Sequence, residues 1–192
     1  MRLRRQPDGE FAKLLLVRKV DSMTSAPRHH NHLPDEAPTD LRWFYQYWAS
    51  KRRGDGGNPA RIDIDPGDFP KLLNTTFIVE RMPDGRHKMR LAGTYYRHLY
   101  GKEITGAFIE DLTALNGAGK ALTHAQAECA RSNGPVYTEA SVVPARATNP
   151  VMFKRLLLPL AAERDQVAYM IGTAVFFDGE SRRIDTANWR AN

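Results

Sequence analysis

The segment that most constrains this chain is apolar on both faces. From Val167 to Phe177, the residues Val167, Tyr169, Ile171, Val175 and Phe177 alternate with Met170, Ala174 and Phe176. A strand buried on both sides belongs in the middle of a sheet. Two strand-like runs precede it, Val136 to Arg146 and Val151 to Leu160. An earlier pair, Thr75 to Val79 and His87 to Ala92, flanks the turn signal Pro83-Asp84-Gly85. Between the two sets lie short helices and turns over Gly93 to Leu115. A helix over Gly117 to Arg131 follows, stopped by Ser132-Asn133-Gly134-Pro135. This order predicts an α+β fold, a five-stranded antiparallel sheet with helices on one face and a helical extension at the N-terminus.

The extension is legible from its start. Pro38-Thr39-Asp40 offers a hydroxyl cap and an acidic first turn, and Leu41, Phe44, Tyr45 and Trp48 follow at i, i+3, i+4 and i+7. Trp43 and Tyr47 add a second aromatic stripe, so the apolar surface is wider than one sheet face would cover. Two readings stay open here, an ordinary packed helix or a dimer or partner interface carried by Leu41, Trp43, Phe44, Tyr47 and Trp48.

Residues 1–38 hold four prolines and one glycine around His29-His30-Asn31-His32 without a sustained period, and read as a largely disordered lead. Residues 39–177 form the domain, and residues 178–192 a short tail. Met23 precedes a polar run, which suggests that the first 22 residues come from an upstream start that is not used. The tail and the irregular lead suggest that no output domain of its own is attached.

Pro59-Ala60-Arg61-Ile62-Asp63-Ile64-Asp65-Pro66 is a proline-bounded connector. Its carboxylates lack the spacing of a calcium loop, so Asp63, Asp65 and Asp68 read as turn and cap residues, with Arg61 paired to one of them. The residues Tyr47-Trp48, Pro59, Arg61, Asp63, Asp65, Pro66, Leu72-Leu73, Phe77-Ile78-Val79, Arg90-Leu91-Ala92-Gly93-Thr94 and Gly101 to Gly106 together resemble a stand-alone PAS-type family found mainly in alphaproteobacteria. The resemblance spans residues 39–177. It implies a PAS fold used in signalling through a small-molecule ligand, a signalling partner or a homodimer, and it carries no catalytic residue over.

A PAS ligand would sit between the sheet and the Gly117–Arg131 helix. Ala118, Ala121, Leu122, Ala125 and Cys129 share one side of that helix, and their small size leaves room for a ligand or for close packing. The expected lining is Phe77, Leu91, Ala121, Leu122, Ala125, Cys129, Tyr169 and Ile171. Haem is argued against, because the one histidine of this helix, His124, points away from the stripe. Flavin attachment is argued against at Cys129, which reads as a small buried hydrophobe.

Composition and motifs exclude several classes. The chain has 42% hydrophobic residues, and its longest N-terminal apolar run, Leu14 to Val17, is too short to span a membrane. A lone cysteine fits a reducing cytoplasm and leaves no thiolate cluster for zinc. The net charge of +6 is spread along the chain rather than clustered, which argues against nucleic acid. No hydrolase, phosphate-loop or metalloprotease motif is present. The enzymatic alternative is a cone-shaped fold of the ketosteroid isomerase type, with Glu139 as its base.

Overall fold

The computed structural model describes residues 27–54, 57–113, 119–161 and 167–186. Its framework is the long hairpin of β5 (Val151–Ala161) and β6 (Val167–Phe177), in register from Met152 opposite Phe177 onward. β6 has β2 (Phe77–Arg81) on its other side, so the doubly apolar strand is interior. β3 (His87–Ala92) and β4 (Val136–Val142) flank this centre, and β1 (Arg28–His30) closes the edge. The six antiparallel strands run β1-β4-β5-β6-β2-β3.

The sixth strand departs from the five expected. Arg28–His30, assigned to an irregular lead, pairs with Tyr137 to Glu139. No apolar alternation marks it, because polar side chains hold it. His29 Nδ1 lies 3.1 Å from Thr138 Oγ1, and Arg28 ion-pairs with Glu139 at 2.8 Å. The expectations about Met23 and the rest of residues 1–26 lie outside the described residues, as does Ala118.

Alternation along the strands builds two cores. Phe77, Val79, Leu157, Met170, Ala174 and Phe176 face α2 (Thr94–Tyr100), α3 (Ile109–Thr113) and α4 (Gly119–Ser132). Ile78, Tyr137, Leu156, Leu158, Leu160, Ile171 and Val175 face the opposite way. The N-terminal helix α1 (Thr39–Ser50) covers that second face. It buries Leu41, Phe44 and Trp48 to 2% exposure or less. Each such side chain contributes about 1.5–3 kcal/mol by leaving water. Helices therefore lie on both faces, because the extension is itself a layer.

α1 does not start on a hydroxyl cap. Its N-cap is Pro38, and Thr39 stands in the first turn, with Oγ1 accepting from Arg42 Nη2 at 3.4 Å. The indole Nε1–H of Trp48 donates to the carbonyl oxygen of Pro159 at 2.9 Å. Strand pairing accommodates a proline inside β5. β4 pairs with β5 only as far as Leu157, so Pro159 withholds no donor from a neighbour there, and an aromatic residue takes up its carbonyl.

The connector closes as turns. Asp63 Oδ2 accepts from the Ala60 N–H and Asp65 Oδ1 from Gly67 N–H, both at 2.8 Å. Arg61, expected to pair with an acidic neighbour, instead lies over the Tyr169 ring at 5.4 Å. The Asp63 partner is Arg53 at 3.8 Å, reached from the end of α1. Thr94 Oγ1 donates to Asn74 Oδ1 at 3.1 Å, and Gly101 ends α2 in the left-handed region at φ 67°. Gly106, with φ 88°, turns the chain toward α3.

Candidate functional site

Between the sheet and helices α2, α3 and α4 lies a cavity of about 40 Å³. Its walls are mostly apolar, from Phe77, Met89, Leu99, Phe153 and Phe176 with the rings of Tyr96 and Tyr100, and the guanidinium of Arg155 and the amide of Gln126 also line it. A volume of that size admits about three water-sized groups.

Arg155 comes from β5. Pairing places it in one rung across the sheet, His29 beside Thr138, Thr138 beside Arg155, and Arg155 beside Ala174. Its side chain points toward α4 and is 5% exposed. The guanidinium carbon stands 5.6 Å from the centre of the Phe77 ring, a cation–π contact. Nε and Nη2 have no hydrogen-bond partner among the described residues, and no acidic side chain among them pairs with it. Burial lowers its proton affinity to about 10, offset in part by Tyr96, Tyr100 and Cys129, so the group stays charged at neutral pH. An uncompensated buried cation costs several kcal/mol.

Gln126 hangs from α4 over the same space. It is 1% exposed, and its Oε1 has no partner among the described residues. Ala121, Ala125 and Cys129, spaced four residues apart on the same helix, are small enough to let α4 approach the sheet. Burial pushes the Cys129 thiol up to about 12, so it is not a thiolate at neutral pH. His124 is exposed, with its ring 4.9 Å from that of His29, and does not project into the cavity.

Of the lining expected from sequence, Phe77 and Leu122 reach the cavity wall. Ala121, Ala125 and Cys129 are buried beside it. Tyr169 and Ile171 face the α1 layer instead. Their parity was undecidable in a strand without polar alternation. Leu91 is also misplaced, and for a different reason. The register shifts between Ile78 and Val79, so Ile78 opposes Leu91 while Val79 opposes Met89, with Arg90 as the additional residue. That bulge turns Leu91 away, 36% exposed, and delivers Met89 to the cavity. Arg90 in turn ion-pairs with Glu80 across the hairpin.

Arg155 and Gln126 were not anticipated. One signal was available, the Lys154-Arg155 pair inside an apolar strand, which must set one cation on each face. Lys154 takes the α1 side, 3.1 Å from Glu139.

Glu139, the expected base of the enzymatic alternative, also lies on that side. It is bound to Arg28, Lys154 and the Tyr137 hydroxyl. Burial raises its carboxyl, but hydrogen bonds from Tyr137 and Lys154 outweigh burial and hold it below the usual carboxylate range. A base for neutral pH would need the opposite shift.

The expected interface residues divide likewise. Leu41, Phe44 and Trp48 are consumed by the second core, whereas Trp43 is 43% exposed and stacks on Tyr47 at 5.7 Å. Tyr47 has work inside the protein. Its hydroxyl accepts from Asp65 N–H at 2.9 Å and donates to Asp65 O at 3.3 Å.

Several known proteins resemble this architecture. A light-oxygen-voltage protein of Rhodobacter sphaeroides is 14% identical, with a TM-score of 0.42, over 59% of this chain and 68% of that one. A PAS domain from Colwellia psychrerythraea is 15% identical, with a TM-score of 0.41, over 62% of this chain and 96% of its own. An RNA-binding light-oxygen-voltage receptor is 12% identical, with a TM-score of 0.48, over 85% of this chain, which spans 41% of that receptor. No curated protein matches. Among the described residues, no helix is long and apolar enough to cross a membrane. A family model described as a PAS domain, PAS_5, matches residues 37–175, and the chain therefore belongs to the PAS domain family.

Proposed function

We propose that this PAS domain is a sensory signalling module whose input is a small molecule held in the cavity beneath α4. One observation carries the reading. A buried, charged Arg155 with two N–H donors that have no partner among the described residues shares the cavity with a buried carbonyl oxygen on Gln126 that has none among them either. A site meant only for packing would hold apolar groups there at lower cost.

Output leaves through the other side of the sheet. β5 and β6 carry cavity residues at Arg155 and Ala174 and α1 contacts at Leu156 and Val175. A ligand shifts α1 only by binding one arrangement of these strands better than another. The outlet is self-association through the exposed Trp43 face of α1, and a homodimer is the form proposed for signalling, in a reducing cytoplasm. The reading includes neither haem at His124, nor flavin at Cys129, nor catalysis at Glu139.

Native mass spectrometry of the purified chain, paired with its absorption spectrum, tests it. Retained mass or a chromophore supports a ligand-responsive sensor. A bare chain whose melting temperature no small-molecule panel moves would overturn it.

A further inference from the structure

We infer that the ligand is a short-chain monocarboxylate gripped side-on by Arg155, a deepening that rests on the sensor reading just given. The two unpartnered nitrogens, Nε and Nη2, form one edge of the guanidinium fork. Their N–H bonds point in parallel, at the separation of two carboxylate oxygens. A spherical anion would satisfy one of them well, and a carboxylate satisfies both.

Charge limits the ligand to one negative unit. Among the described residues, Arg155 is the only cationic side chain lining the cavity. A phosphate dianion would leave a second charge uncompensated among Phe77, Phe153 and Phe176. Volume limits it further, since about 40 Å³ takes only a handful of non-hydrogen atoms. The apolar walls suit a short alkyl body, and Gln126 Oε1 lacks a donor that a hydroxyl on the acid would provide.

The experiment is calorimetric titration of the full chain, in carboxylate-free and chloride-poor buffer, with acetate, glycolate, acetamide, chloride, phosphate and 1-propanol. Acetate and glycolate are expected to bind, glycolate several-fold tighter, with acetamide, chloride and phosphate failing to match them. Arg155→Met, checked for folding by circular dichroism, is expected to weaken both acids at least about 30-fold. Arg155→Lys keeps the charge but not the fork and is expected to lose about tenfold. Gln126→Leu is expected to remove the preference for glycolate while leaving acetate.

Unchanged acid binding in Arg155→Met, or equal binding of chloride or phosphate, overturns the inference. If 1-propanol binds and the acids do not, the cavity reading stands and the carboxylate falls. If no probe binds, the carboxylate falls, and the sensor reading is decided separately by the retained mass and the melting-temperature panel.

Discussion

Arg155 and Leu156 are adjacent on β5 and bury their side chains in different cores, Arg155 in the cavity under α4 and Leu156 against α1. Movement of one reaches the other through a single peptide unit. The same adjacency makes the cost of the charge testable. Arg155→Met removes a buried cation with no acidic partner among the described residues, and stability is expected to rise by about 1–4 kcal/mol. A urea titration in carboxylate-free buffer measures it, and a fall in the midpoint would mean that the guanidinium has compensation within the fold.

Trp48→Phe keeps most of the ring volume and removes the N–H that serves Pro159 O. The buried carbonyl then loses its partner, at about 1–3 kcal/mol. A loss of that size, read by thermal unfolding, gives the contribution of this bond to holding α1 on β5.

Two glycines allow a graded comparison. At Gly93 an added methyl group would stand 2.3 Å from Leu73 O and 2.4 Å from Asn74 O, both backbone atoms that cannot turn aside. At Gly172 it would meet the Phe77 ring end at 2.3 Å and Leu156 O at 2.8 Å. Gly172→Ala is expected to cost about 1–3 kcal/mol and to displace a cavity wall, with Gly93→Ala costlier still. Denaturant midpoints of the two variants give the order.

His29 links the edge strand to pH. Burial, then the charges of His124, Arg155 and His30, lower its pKa from the ordinary 6.5. The folded state thus binds the proton more weakly than the unfolded chain. The stability tied to neutral His29 is present above about pH 6.5 and is lost as pH falls through the lowered value. His29→Gln is expected to flatten the fall in unfolding free energy between pH 7 and pH 5, and an unchanged slope would rule the residue out.

Trp43→Ser tests the proposed dimer more cleanly than a change at Tyr47, whose hydroxyl also clamps the Asp65 turn. The substitution is expected to halve the mass observed by light scattering while leaving the melting temperature within a few degrees. An unchanged mass would move the interface elsewhere.

Much of the fold was readable because its signals are local. The doubly apolar Val167–Phe177, the Pro83-Asp84-Gly85 turn and the stripe of Leu41, Phe44 and Trp48 each satisfy a short-range period, and the structure places them as an interior strand, a hairpin and a packed helix. The edge strand Arg28–His30 escaped, because main-chain pairing and polar contacts leave no period to read.

The sequence by itself determined that β5 must set one cation on each face of the sheet, since Lys154 and Arg155 are consecutive and side chains alternate along a strand. Only the tertiary structure decided which one is buried. Lys154 meets Glu139 from the neighbouring strand at a partly exposed face, while Arg155 is closed over by Gln126 and the helices. That choice depends on the pairing of β5 with β4 and β6 and on the helices packed over one face, which bring together residues far apart in the chain. No local pattern encodes it.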